Sequence, residues 1–343
     1  MANLMRASRE LFRRTPDETY PSLETLVQHC RNQRETSHDH WVAPSGLWTR
    51  PVGPENLLLG AGEDQSFQMN DWSFGQLCRL AGVTKETVNR LTPETASRVF
   101  TETLPGGNKP LQVFSSGELA RSIHSASYTR LYDAELLDVV LDAADGFEPP
   151  PVGCNGGTGL YCGEQDLFCF LIDPTGWIDI GGEAFAPGMF VWNSEVGRRS
   201  VGVETFWYQQ ICANHIVWDT AAEVVEFSRK HTANVHEALF EIQRNVQALV
   251  QKRDQRRDSF ARVIERAMET KLGDDADEVR AALSGTGISR TLGKKAVEMA
   301  AKQGRFTLFS VVDALTRLAG QIQNAGDRTE ADARAGKLLS LAV

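Results

Sequence analysis

The sequence predicts an α+β fold, largely helical, with a small central antiparallel sheet and a long helical C-terminal region. Three observations predict it. Strand-like runs concentrate between Leu167 and Thr205. From Asp219 to Lys271 there is neither Gly nor Pro, and Val235, Leu239, Ile242, Val246 and Leu249 recur at steps of four and three. Between them and the N-terminal part, the run Glu148-Pro-Pro-Pro151 and the glycines from Gly153 to Gly159 mark a boundary.

Taken in order, Met1 to about Asp71 reads as irregular, with short helical pieces between breaks at Pro44, Pro51, Gly53 and Pro54. Gln76–Leu91 follows as a helical hairpin, with Gly82 in its turn and Thr84 capping a second helix. Thr92-Pro93 starts a third helix, with Pro where its missing N–H costs least, and Leu104 ends it. Leu111–Phe114 reads as a short strand and Ala134–Ala144 as a helix. Leu167–Ile172 is apolar on both faces, as an interior strand would be. Trp177–Ile180, Gly188–Asn193 and Ser200–Thr205 read as further strands. Asn193–Arg199 is the turn of a hairpin, with Gly197 where positive φ is needed. Phe206–Trp218 reads as a helix, and the stretch after it as one long helix interrupted by Lys252-Arg-Asp-Gln-Arg-Arg257. The regions expected are 1–110 (mainly helical), 111–218 (α+β) and 219–343 (helical).

Composition narrows the function classes. The 343 residues are 41% hydrophobic and 24% charged, as expected of a globular chain. No apolar run approaches the roughly 18 residues of a membrane helix, and the N-terminus lacks a secretory pattern. Six cysteines without small-scaffold spacing suggest reduced thiols and a cytoplasmic location. The net charge of −9 is unevenly spread. Residues 110–229 carry 5 Lys+Arg against 17 Asp+Glu with no lysine, whereas residues 230–343 carry 19 against 15. A basic footprint for nucleic acid could therefore come only from the C-terminal third, or locally from Arg198 and Arg199.

Several constellations carry possible chemistry. Gln76–Leu91 is similar to a repressor helix-turn-helix, in which Lys85, Asn89 and Arg90 would face DNA; an ordinary helical hairpin explains it equally. Cys154, Cys162 and Cys169 lack the short spacing of zinc knuckles. Cys212, Asn214 and His215 have the residue types of a thiol-nucleophile site, without an identifiable orienting group. Acidic residues including Asp166, Asp173 and Glu195 fall on or beside strands, where a nuclease would gather them around magnesium. The loop Gly153–Gly159 lacks the Lys-Ser/Thr ending of a phosphate cradle. Aromatics and arginines interleave at the hairpin, in Phe190, Trp192, Arg198, Arg199 and Trp207, as they do where single strands stack.

Leu160–Gly163 with Asp166, the run Phe190-Val-Trp-Asn-Ser-Glu-Val-Gly197, and Cys212-Ala-Asn214 resemble the phage/plasmid-like protein family, a bacterial domain of unknown function. Gly304-Arg-Phe-Thr-Leu-Phe309 with Asp313-Ala314 resembles that family's closing segment. The resemblance spans roughly residues 70–330 and departs at His215, where the family often has Gly. It implies a task in DNA maintenance, recombination or host takeover by mobile elements. The order of strands, hairpin and helix also looks like that of ring-forming single-strand annealing proteins of the Rad-fifty-two type.

Together these readings favour an oligomeric accessory protein that binds single-stranded DNA without a cofactor. Trp192, Arg198, Arg199, Lys252, Arg253, Arg256 and Arg257 would contact the strand, and binding would weaken steeply with salt. The alternatives are an interaction protein assembling through the Val235–Leu249 stripe, and a magnesium-dependent nuclease using Asp166, Asp173 or Glu195.

Overall fold

The computed structural model describes residues 10–144, 146–152, 157–210, 214–217, 227–302, 304 and 306–342. The chain opens with a two-residue edge strand, β1 (Glu18–Thr19), and then α1 (Leu23–Glu35). Ser22 and Thr25 exchange capping bonds at the start of α1, satisfying donors that the helix itself leaves unpaired. Four strands follow: β2 (Ser37–Val42), β3 (Leu47–Val52), β4 (Asn56–Ala61) and β5 (Gln65–Met69). Then come α2 (Asp71–Leu80), α3 (Lys85–Val88), α4 (Pro93–Thr103), β6 (Leu111–Ser116), β7 (Leu119–Ser125) and α5 (Asp133–Ala143). The next seven strands are β8 (Leu160–Cys162), β9 (Leu167–Ile172), β10 (Ile178–Ile180), β11 (Glu183–Asn193), β12 (Val201–Gln209), β13 (Asn214–Ile216) and β14 (Phe227–Arg229). The remaining helices are α6 (Glu237–Gln251), α7 (Arg253–Glu269), α8 (Ala276–Leu283), α9 (Arg290–Lys302), α10 (Leu308–Ala319) and α11 (Ala325–Gly336), with a final 3-10 turn at Lys337–Ala342.

The strands form two sheets. Eight belong to one sheet, in the order β1-β8-β9-β11-β12-β13, with β10 also on β11 and β14 also on β12. Six form the other, in the order β2-β6-β7-β5-β4-β3, antiparallel except for β5 against β7. This corrects the expected fold class. The sheet is neither small nor single, and the chain is 43% helix and 25% strand. The six-stranded sheet runs through residues 37–125, most of which read as irregular or helical. Its strands are short and interrupted by polar residues, and Pro51 lies within β3. That proline is tolerated because β3 is the outermost strand, where a missing N–H costs no ladder bond.

Two helix expectations are also corrected. Within Phe206–Trp218, residues 206–209 and 214–216 are strand, because Val203-Glu-Thr-Phe-Trp-Tyr208 is β-branched and aromatic and fits a buried sheet; Trp218 itself lies outside the described residues. The expected long helix is two helices meeting at Lys252, with β14 before them. Leu167–Ile172 is β9 over the same residues, buried throughout. The hairpin between β11 and β12 has Gly197 at φ +73°.

Alternation along β9, β11 and β12 divides the large sheet into two faces. One carries Cys169, Leu171, Met189, Val191, Val201 and Val203, packed with Leu26 of α1, Leu137 of α5 and Val246 of α6. Further along the same side, Phe185 and Trp207 meet the C-terminal helices; Trp207 stacks on Phe260 of α7 at 4.0 Å. The other face is aromatic: Phe168, Phe170, Phe190, Trp192, Phe206 and Tyr208 pack together and against Ala325 and Ala333 of α11. No helix among the described residues is long and apolar enough to cross a membrane.

Candidate functional site

Where the aromatic face meets α11 and the β11–β12 hairpin, a cleft of about 390 Å³ opens. Its apolar floor is Phe168, Phe190 and Trp192, set by the period-two alternation of β9 and β11. Gly202 opposes Trp192 across the ladder, and any side chain there would strike the indole, since a Cβ would sit 2.3 Å from Trp192 Cζ2. Arg198 and Arg199 leave the hairpin at the cleft wall, with Glu204 and Glu330 also on it.

The two arginines differ sharply. Arg199 donates from Nε to Asp166 Oδ2 at 2.7 Å and from Nη1 to Glu330 Oε1 at 2.7 Å, and lies 3.7 Å from Asp327. Gly326 lets its guanidinium lie against α11, because a Cβ there would sit 2.5 Å from Nη2. The hydrogen bond from Arg199 holds the Glu330 carboxyl below its usual range. Asp166 is shared with Arg14, 3.6 Å away. Arg198 is exposed, and its side chain makes no salt bridge among the described residues. Trp192 is 8% exposed and its ring centroid lies 5.4 Å from that of Phe190, so it is packed into the floor of the cleft.

The tip of the hairpin is gripped by the rest of the fold. Glu195, 3% exposed, is ion-paired with Arg121 of β7 and accepts from the Asp133 backbone N–H at 2.9 Å. Arg130 donates to the Glu195 carbonyl and pairs with Asp39 of β2 at 2.8 Å. Asn193 Nδ2 donates to Asp133 Oδ1 at 2.8 Å and to the Leu131 carbonyl at 2.9 Å. Tyr128 donates to the carbonyls of Ser194 and Glu195, and Trp72 Nε1 donates to the Val196 carbonyl. The network joins the two sheets. Sequence reasoning missed Arg121, Arg130 and Asp133. One signal was available: Arg121 and Arg130 are the only Lys or Arg between residues 110 and 197, amid many acids.

The other expected DNA contacts do not join the cleft. Lys252 and Arg253 stand at the junction of α6 and α7. Arg256 is 5% exposed and shares a hollow with Phe147, Asp173, Pro187 and Leu249 on the opposite face of the sheet. Arg257 pairs with Asp254 and Asp258. The carboxylates expected of a nuclease are engaged separately: Glu195 with Arg121, Asp166 with two arginines, and Asp173 with Thr175 N and Oγ1. The helix-turn-helix expectation meets a second helix of one turn, too short to read a groove. Lys85 there pairs with Asp71 at 2.6 Å, and buried Asn89 bonds the Phe12 backbone. Cys154 and Cys212 lie outside the described residues. Cys169 is a buried thiol pushed up to about 12 by desolvation.

His215, on β13, is stacked 4.3 Å from Phe170, with Nδ1 4.0 Å from Asp332 Oδ2. Arg328 Nε lies 3.6 Å from the same oxygen. This trio is buried, so it braces α11 on the aromatic face and offers no accessible nucleophile site.

No family model, curated protein or solved structure matches the chain, so the likeness to the phage/plasmid-like family rests on the sequence motifs alone.

Proposed function

We propose that the chain is a non-enzymatic accessory protein of DNA metabolism that seats one nucleotide of single-stranded DNA in the cleft beside the hairpin. The observation that carries this reading is the convergence of Trp192, Arg198 and Arg199 with Phe168 and Phe190 around one cavity. Its volume falls at the small end of the roughly 300–1,000 Å³ usual for ligand sites. A base would lie against the aromatic floor, and Arg198 would take the phosphate. Arg199, fixed by its carboxylates, would shape the wall. The resemblance to proteins of mobile elements supports the DNA class.

Glu204 and Glu330 on the wall, and the −12 of residues 110–229, oppose a long polyanion track. The contact is therefore local, one or two phosphates, in place of the steep salt dependence that seven basic and aromatic contacts would imply. At a slope of about −0.7 per phosphate on a single strand, log K should fall by roughly 0.7–1.4 per decade of salt.

Fluorescence anisotropy of a labelled oligonucleotide tests this at two salt concentrations. Binding with that shallow slope, weakened about tenfold by Arg198→Glu, supports the reading, since one charged contact is worth roughly 1.4 kcal/mol or more. An unchanged anisotropy at low salt, or an unaffected Arg198→Glu protein, overturns it.

A further inference from the structure

We propose that Cys30, Cys162 and Asp133 form a zinc site whose fourth position is taken by a water molecule. Cys30 lies in the last turns of α1, Cys162 ends β8, and Asp133 is the first residue of α5, so the site ties two helices to an edge of the large sheet. The donor atoms of Cys30, Cys162 and Asp133 all lie within 4.8 Å of one another. In a tetrahedral site, with Zn–S near 2.3 Å and Zn–O near 2.0–2.2 Å, donors stand about 3.5–3.8 Å apart. Side-chain movement of at most about 1 Å brings the donors to that spacing.

Asp133 is 2% exposed and makes no salt bridge among the described residues. A buried carboxylate without a directly paired cation is costly, and a bound metal would give it a cation in direct contact. Its surroundings are those of a held ligand: Asn193 Nδ2 fixes Oδ1 at 2.8 Å, and the Glu195 carboxylate fixes its backbone N–H at 2.9 Å. Such outer partners set the orientation of metal ligands.

The donor set selects the ion. Two sulfurs favour zinc over magnesium or calcium, which take oxygen ligands. Charge balance favours it too. When Zn²⁺ binds, the two S–H bonds break, two Zn–S bonds form, and both protons leave to solvent. Two positive charges enter as two leave, so the buried cluster of Asp133, Glu195, Arg121 and Arg130 keeps its formal charge. Arg121 can stay on Glu195 throughout.

The test is a titration of the full chain, reduced and stripped with chelator, first with Co²⁺ and then with Zn²⁺. One equivalent of cobalt should give a thiolate charge-transfer band and the intense visible bands of a tetrahedral centre, both abolished by one equivalent of zinc. Zinc should raise the thermal midpoint, and chelator should reverse the rise. Cys162→Ser should lose the charge-transfer intensity, and Asn193→Ala, which removes the outer hydrogen bond to Asp133 together with that to the Leu131 carbonyl, should weaken zinc about 10–100-fold. Absence of a cobalt–thiolate band in the unmutated protein overturns the proposal, however the variants fold. So does a chain lighter by two hydrogen atoms with Cys30 and Cys162 linked, because those sulfurs would then serve a disulfide. The cleft residues play no part in this measurement.

Discussion

At the scale of single residues, Asp332 makes the clearest statement. It is fully buried beside Arg328 and His215, and burial pushes its carboxyl up to about 8 against the opposing pull of Arg328. Burial, helped by Arg328, drives His215 the other way, well below its ordinary value. A carboxyl with a higher pKa in the fold than in the unfolded chain keeps its proton better when folded. Its contribution to stability is thus full below the unfolded value near 4 and is lost as pH rises toward about 8. His215 works in the opposite sense, costing stability as pH falls below about 6.5. Asp332→Asn removes the first effect and keeps the second. Unfolding free energies of both proteins, measured by urea between about pH 5 and pH 8, should show the variant gaining steadily on the wild type as pH rises. A constant difference would mean that Asp332 is ionised in the fold across the whole range.

At the scale of elements, α6 shows what a hydrophobic stripe is for. Val235, Ile242, Val246 and Leu249, read from sequence as a surface for assembly, are buried within the chain against α5 and the large sheet. Phe240, on the other side of α6, is 75% exposed. Ile242→Ala should therefore cost about 2–5 kcal/mol of unfolding free energy, as truncation in a packed core does. Phe240→Ser should stay within about 0.5 kcal/mol. Equal and small effects would return the stripe to the surface. The same helix shows how much the sequence made legible. Period and polarity were enough to identify α6, α4, α5 and β9, because each buries one regular face or both. They could not identify β2–β5: β2 and β5 pair with β6 and β7 far along the chain, and β3 and β4, though they pair locally with each other and with β5, are short and bounded by Pro and Gly breaks. At the candidate site, Trp192, Arg198 and Arg199 were legible as a local cluster. That Arg199 is taken by Asp166 and Glu330 was not, because α11 reaches it from 131 residues away. For the same reason Cys30 and Cys162 could not be paired by spacing.

At the scale of the whole molecule, the hairpin tip is where the two sheets are joined. Glu195 holds Arg121 of one sheet, its own strand connection belongs to the other, and Asp133 opens the helix beside both. Removing its charge leaves Arg121 buried and unpaired, which typically costs about 3–5 kcal/mol. Glu195→Gln should therefore lose roughly that much stability, and amide exchange should speed up together in β7, β11 and α5. Loss of protection confined to the hairpin would make the contact a local one. A different long-range contact bears on how the chain is born. Asp17 accepts the Ala325 backbone N–H at 2.8 Å, across 308 residues, and β1 beside it pairs with β8 alone among the described residues. At about 5–20 residues per second, a ribosome delivers Ala325 roughly 15–60 s after Asp17. Through that interval the N-terminal segment waits without this partner, and the contact closes only once Ala325 has been made.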